Sequence, residues 1–106
     1  MKSIDDICKV YNVEEVNKDY IKYFGNSFDA LYDLNEYIKK NMGVNNIKLI
    51  PFIPWDKTAG LLIAVPSNTF KDAETEMDDL YTCSRYFFDK YEVDITKNIF
   101  IDIRDY

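Results

Sequence analysis

Asp29, Asp33 and Glu36 recur at i, i+4 and i+7 within a segment of helical periodicity. A helix would carry these three carboxylates on one face. Carboxylates so placed could do acid/base work on a glycoside, hold a hard cation, or take the place of phosphates in a cationic pocket. The first needs a cleft and one carboxyl of raised pKa, which an exposed helix face does not offer. The second needs a loop with closely spaced oxygen ligands, and none is visible. The third needs only a stiff scaffold, because Cβ atoms one helical turn apart are separated by about 6 Å, comparable to neighbouring phosphates on a strand. The chain contains no histidine. That removes the commonest general base and transition-metal ligand, and every Ser-His or Cys-His nucleophile. Cys8 and Cys83 stand in neither metal nor redox spacing and read as two buried, reduced thiols on apolar helix faces. The residues therefore point to binding rather than catalysis, with no catalytic residue, no metal site and no cofactor.

Composition agrees with that direction. The formal net charge is −6 and the pI is ≈ 4.5. Such a chain has no basic footprint for direct contact with nucleic acid and is suited to a basic protein partner. At 106 residues, with 47% hydrophobic and 30% charged residues, it is long and apolar enough for one domain with its own core, spanning 1–106. No apolar run approaches the ~18 residues of a membrane span, and the N-terminus lacks a secretory apolar stretch. The expectation is a cytoplasmic protein without a membrane partner.

The elements that would hold these residues can be read from periodicity. Ile4, Ile7, Cys8 and Tyr11 fall on one helical face, with Ser3 as cap and Asp6 as its capping-box partner. A short helix or turn follows over 14–24, and Gly25, tolerant of positive φ, would end it. The clearest helix covers 27–42: Asn26 or Ser27 caps it, Leu31, Leu34, Ile38 and Met42 form its buried stripe, and Gly43 stops it. Residues 47–53 form a strand that Pro51 either confines to an edge or ends early. A loop with Trp55 leads to a nearly all-apolar strand over 60–65, buried on both faces, and the two strands could make a hairpin. Thr69 with Asp72 would cap a long helix to about Tyr91. Its core stripe would be Ala73, Met77, Leu80, Ser84, Phe87 and Tyr91, with Asp72, Glu76 and Asp79 in water. Ile99, Ile101 and Ile103 alternate in a terminal strand. The fold class is α/β: a small three-stranded sheet, with a right-handed parallel crossover between its last two strands, packed by three to four helices.

The segment Tyr23-Phe24-Gly25-Asn26-Ser27-Phe28-Asp29-Ala30-Leu31-Tyr32-Asp33-Leu34 resembles the signature of the barstar family of intracellular ribonuclease inhibitors: an aromatic pair, a glycine, a short link, then Asp-Ala-Leu-aromatic-Asp. The resemblance implies a loop and helix that plug a ribonuclease active site. Asp29 and Asp33 would be its acidic contacts, Tyr23 the loop aromatic packed on the enzyme, and Tyr32 the aromatic between the aspartates, with Glu36 extending the acidic face. The family begins with a strand, whereas the spacing over 1–9 is helical, and the proline-flanked segment 50–60 is no part of the family pattern.

The leading expectation is thus a barstar-like inhibitor or immunity protein. It would be a monomer when free and would block a ribonuclease or related nuclease toxin. As a surface change, Asp33→Ala should weaken binding and spare stability. A second reading is an acidic nucleic-acid mimic from a mobile element, with a broader stripe that takes in residues 72–79. A third is a non-catalytic regulatory subunit that oligomerises through aromatics such as Trp55 and Tyr81.

Overall fold

The first helix, α1 (Ile4–Val10), starts at the predicted capping box: Ser3 Oγ accepts from the Asp6 N–H, and the Asp6 carboxylate accepts from the Ser3 N–H. The computed structural model describes residues 1–105. A 3-10 turn (Glu15–Asn17) and the short α2 (Lys18–Lys22) come next, then a second 3-10 turn (Gly25–Ser27) that runs directly into α3 (Phe28–Met42). Gly25 is not in the left-handed region, because the chain tightens there into a 3-10 turn; the left-handed stop is Gly43 at φ 65°, which closes α3. The expected stripe of α3 is buried, joined by Phe28 and by Asn35, whose amide donates to the Val10 carbonyl and ties α3 to the end of α1.

Strands β1 (Lys48–Phe52) and β2 (Gly60–Pro66) form an antiparallel hairpin, and β2 pairs in parallel with β3 (Ile99–Arg104), giving the order β1-β2-β3. The crossover between β2 and β3 contains α4 (Ala73–Lys90) and a one-turn helix, α5 (Val93–Thr96), that the sequence pattern does not reveal. The N-cap of α4 is Asp72, which accepts from the Thr75 N–H, so Thr69 stays outside the helix. The buried face of α4 is Glu76, Leu80, Cys83 and Phe87, not the stripe through Ala73, Met77 and Ser84. Met77 is exposed.

Leu49, Leu61, Ile63, Val65 and Ile99 face the helices and meet Ile7, Tyr11, Ile21, Leu31, Leu34, Ile38 and Phe87 in one core cluster. The opposite sheet face carries Ile50, Phe52, Leu62 and Phe100, outside that cluster. There Phe52 and Phe100 approach to 5.1 Å over Gly60. A Cβ on Gly60 would lie 2.7 Å from the Asn98 carbonyl oxygen and 3.0 Å from both the Phe52 carbonyl oxygen and the Phe100 ring, whereas one on Gly25 would meet nothing within 4 Å. Two of the Gly60 contacts are backbone atoms of paired strands and cannot swing aside. Gly60→Ala should therefore destabilise the fold by about 1–3 kcal/mol, the usual range for overpacking. Gly25→Ala should change it by less than about 0.5 kcal/mol. Urea denaturation of both variants checks the contrast.

Candidate functional site

Tyr23, the expected loop aromatic, sits at the C-terminal cap of α2. The helix is a firm platform despite its length. Ile21 is fully buried. The Tyr20 hydroxyl donates to the Gly60 carbonyl and accepts from the Gly60 N–H, both at 3.0 Å, which fastens α2 to the hairpin. The following turn is pinned by Ser27 Oγ, which donates to the Ile95 carbonyl at 2.7 Å. From this support the Tyr23 ring projects 88% exposed.

The α3 positions divide among three directions. Asp29 and Glu36 are exposed on its crest. Tyr32 leans towards α1, where the Lys2 ammonium lies 4.0 Å from its ring centroid, and the Lys2 backbone N–H donates to Asp29 Oδ1 at 2.6 Å. Asp33 leans the other way, to α4. Its carboxylate accepts from the hydroxyl of Tyr86 at 2.9 Å, the hydroxyl of Tyr91 at 2.5 Å and the ammonium of Lys90 at 2.8 Å. Tyr37 stacks on Tyr86 beside it, with ring centroids 3.8 Å apart.

Partial burial by itself would raise the Asp33 pKa, but the hydrogen bonds from Lys90, Tyr91 and Tyr86 outweigh it and hold the carboxyl below its ordinary value. The partners respond in kind. Burial, then the bond to Asp33, pushes Tyr91 up to about 12, and the Lys90 ammonium is held above its ordinary value chiefly by its hydrogen bond to Asp33. Asp33 is thus a neutralised junction between two helices. The expectation that its replacement would spare stability does not follow from this geometry. Its side chain keeps only 30% of its exposure and already has its cation. The two carboxylates left on the crest, Asp29 and Glu36, lie seven residues apart, about 10 Å along the axis rather than one turn.

The second acidic run is also largely committed to the protein itself. Asp72 caps α4. Asp79 pairs with Lys71 at 2.7 Å. Glu76, expected in water, is buried and accepts from Ser67 Oγ and the Asn68 N–H, holding the turn that precedes the helix. Trp55 and Tyr81 are both exposed. Cys83 is buried and Cys8 partly so; both are unpaired, and burial pushes the Cys83 thiol up to about 11, far from a reactive thiolate.

Lys2, Tyr86, Lys90 and Tyr91 belong to this region, and sequence reading did not select them. The available signal was a run of polar-tipped aromatics and a lysine on the last turn of α4, but it means something only once α3 is known to lie alongside. Among the described residues no group of three or more Cys, Asp or Glu side chains could hold a metal ion, and no helix is long and apolar enough to cross a membrane. No family model, curated protein or solved structure matches the chain.

The Asp33 junction predicts a pH signature. Its folded pKa is lowered, so its stabilisation is present above the unfolded value of about 3.9 and is lost as pH falls through the folded one. Asp33→Asn should lower stability by about 1–3 kcal/mol near neutrality. The gap to wild type should shrink as pH falls below the unfolded value and the Asp33 carboxylate takes up its proton. The folded pKa of Tyr91 is raised, so its contribution holds below about 10 and is lost as pH climbs towards about 12. Paired urea titrations across the acid range for Asp33 and the alkaline range for Tyr91 test this, and an Asp33→Asn gap that stays constant through the acid range would remove the ionised carboxylate from the junction.

Proposed function

We propose that the chain is a non-catalytic inhibitor or immunity protein that blocks the cationic active site of a ribonuclease or related nuclease toxin. Its contact surface is Tyr23 with the Asp29–Glu36 crest of α3. The observation that carries the reading is Tyr23: a large aromatic ring, almost wholly in water, on a platform that buried Ile21 and the Tyr20–Gly60 bonds hold still. An exposed aromatic on a fixed support, six residues ahead of the first crest carboxylate, has the features of an interface anchor. It brings area and a polar tip without a large ordering cost. The resemblance of residues 23–34 to the barstar signature supplies the class of partner.

In this reading Asp29 and Glu36 meet arginines or lysines that otherwise receive phosphate. Asp33 and Tyr32 keep the crest in shape through Lys90 and Lys2. An arginine of the partner could also displace Lys90, since a bidentate guanidinium pairs with a carboxylate better than an ammonium does. What supports a compact patch over an extended mimic stripe is the internal use of Asp72, Glu76 and Asp79.

The test begins with capture from the native host and assay of the captured protein for RNA cleavage. Wild-type chain should abolish that cleavage. Asp29→Lys combined with Glu36→Lys should weaken inhibition by at least about a hundredfold, from two lost charge pairs of 1.5–3 kcal/mol each. Tyr23→Ala should weaken it by about tenfold or more. Association should slow with added salt. A captured nuclease inhibited equally by all variants would place its contact elsewhere, and a captured protein without nuclease activity would overturn the proposed partner class.

A further inference from the structure

The sheet treats its two edges differently. At the β1 edge, Asn12 accepts from the Leu49 N–H and donates to the Ile47 carbonyl, and Pro51 has no N–H to offer. That edge is closed. At the other edge, Leu61 donates to the Asn98 carbonyl at 2.9 Å in a parallel register that matches Leu61 with Ile99. The even residues of β3 therefore bond to β2, and the odd ones, Ile99, Ile101 and Ile103, direct their N–H and C=O groups outward. One of these, the Ile103 N–H, is taken by Asp102 Oδ1. Among the described residues no backbone group pairs with the row at Ile99 and Ile101, which leaves a template for another strand.

Above that edge lies an apolar helix flank. Tyr86 and Lys90 mark the side of α4 that meets α3, and Leu80, Cys83 and Phe87 mark the side that meets the core. At 100° per residue, Met77, Tyr81 and Phe88 fall together on the flank opposite α3, with Ser84 among them. They are 54%, 62% and 46% exposed. The helix layer runs α1, α3, α4, and α4 also packs on β3, so this flank overhangs the open strand.

We propose that this side of the molecule is the interface of a symmetric homodimer, in which β3 pairs antiparallel with its copy and the two α4 flanks pack over the joined strands. The register is self-complementary. A two-fold axis at Ile101 sets Ile101 opposite itself and Ile99 opposite Ile103, so every outward-bonding residue of one strand meets an outward-bonding residue of the other. An unrelated extended peptide would satisfy the edge but leave the helix flank bare, whereas a second copy brings both a strand and a helix. Half-exposed side chains of about 200 Å² each give roughly 300 Å² per copy from the helix flank. Strand pairing raises this towards the low end of the ~800 Å² per partner of stable interfaces. Displacement of the Asp102 cap and the net charge of −6 on each copy both hold the affinity down, so the dimer is micromolar. The inference goes against the expectation of a free monomer and does not depend on the inhibitor reading, since α3 lies on the far side of α4.

Sedimentation velocity of the purified chain, with no partner present, tests it. Wild type should pass from monomer to dimer between about 1 and 300 μM. Met77→Lys with Phe88→Lys should raise the dissociation constant at least tenfold; because the Phe88 ring stands edge-on to buried Phe87 at 5.3 Å, the melting curve of this variant is recorded alongside, and Met77→Lys alone should weaken the dimer severalfold with the fold untouched. Ile101→Pro removes an N–H that β2 does not use and should do the same at the strand. Because Ile101 also packs at the core edge, its fold is checked by circular dichroism, and Asp102→Ala provides a second strand variant: removing the acceptor frees the Ile103 N–H and should tighten the dimer. A wild type that stays monomeric up to about 500 μM would overturn the proposal. So would a dimer left unchanged by the α4 double variant or by both strand variants.

Discussion

The Asp33 carboxylate is the point on which the helix layer turns. It sits between α3 and α4 and receives hydrogen bonds from Tyr86, Lys90 and Tyr91, three residues on the last turn and cap of α4. Because all three converge on one group, they set the rotation of α4 about its axis as well as its distance from α3. The stack of Tyr37 on Tyr86 reinforces the same alignment. With that rotation set, Leu80, Cys83 and Phe87 point into the core and Met77, Tyr81 and Phe88 are left outside. A carboxylate held this way is satisfied by one cation and two hydroxyls, so its charge is compensated where it is partly desolvated.

That compensation reshapes the acidic surface. Three carboxylates at i, i+4 and i+7 look like a continuous anionic strip on a helical wheel. In the folded chain the central one is drawn about 40° around the axis, since four residues advance 400°, and is matched by Lys90. Asp29 is partly engaged by the N–H of Lys2, and only Glu36 stands clear on the crest. The net charge of −6 is thus a poor guide to where a cationic partner would find free carboxylate. The crest is better described as two anions about two turns apart, flanked by Tyr32 under its own lysine and led by an exposed Tyr23.

Much of the fold was legible because it depends on local rules. Ser3 and Asp6 cap α1, Gly43 ends α3, Pro51 lies on an edge, and the isoleucines of β3 alternate; each follows from a residue and its near neighbours. The parallel pairing of β2 with β3 followed from a connection long enough to hold a helix. Errors arose where a near-equivalent local signal competed. Thr69 and Asp72 are both good caps, and only Asp72 serves; separately, hydropathy favours Met77 for the core stripe, whereas the neighbouring Glu76 is the one buried. Glu76 looked like a solvent-facing acid, because only the folded turn at Ser67 and Asn68 supplies its donors. The sequence nominates candidate residues for the site but not their geometry. Tyr23, Asp29, Tyr32, Asp33 and Glu36 come from one segment, whereas the cations that engage Tyr32 and Asp33 come from positions 2 and 90, and no short-range pattern reports that distance.

The two flanks of α4 carry different work, and this makes the proposed surfaces compatible. The flank marked by Tyr86 and Lys90 is spent on α3, so α3 cannot slide without breaking the Asp33 junction, and the crest beyond it is held at a fixed angle to the sheet. Among the described residues the opposite flank has no comparable partner in another helix, and it lies over the β3 edge, which neither a bridge nor a proline closes there. A copy seated on that flank would be separated from the crest by the width of α4, leaving Tyr23, Asp29 and Glu36 free. A dimer built this way would display two crests related by the two-fold axis. It could then engage two partner molecules, or a partner that is itself two-fold, with a gain in avidity set by the rigid spacing of the crests rather than by any additional contact.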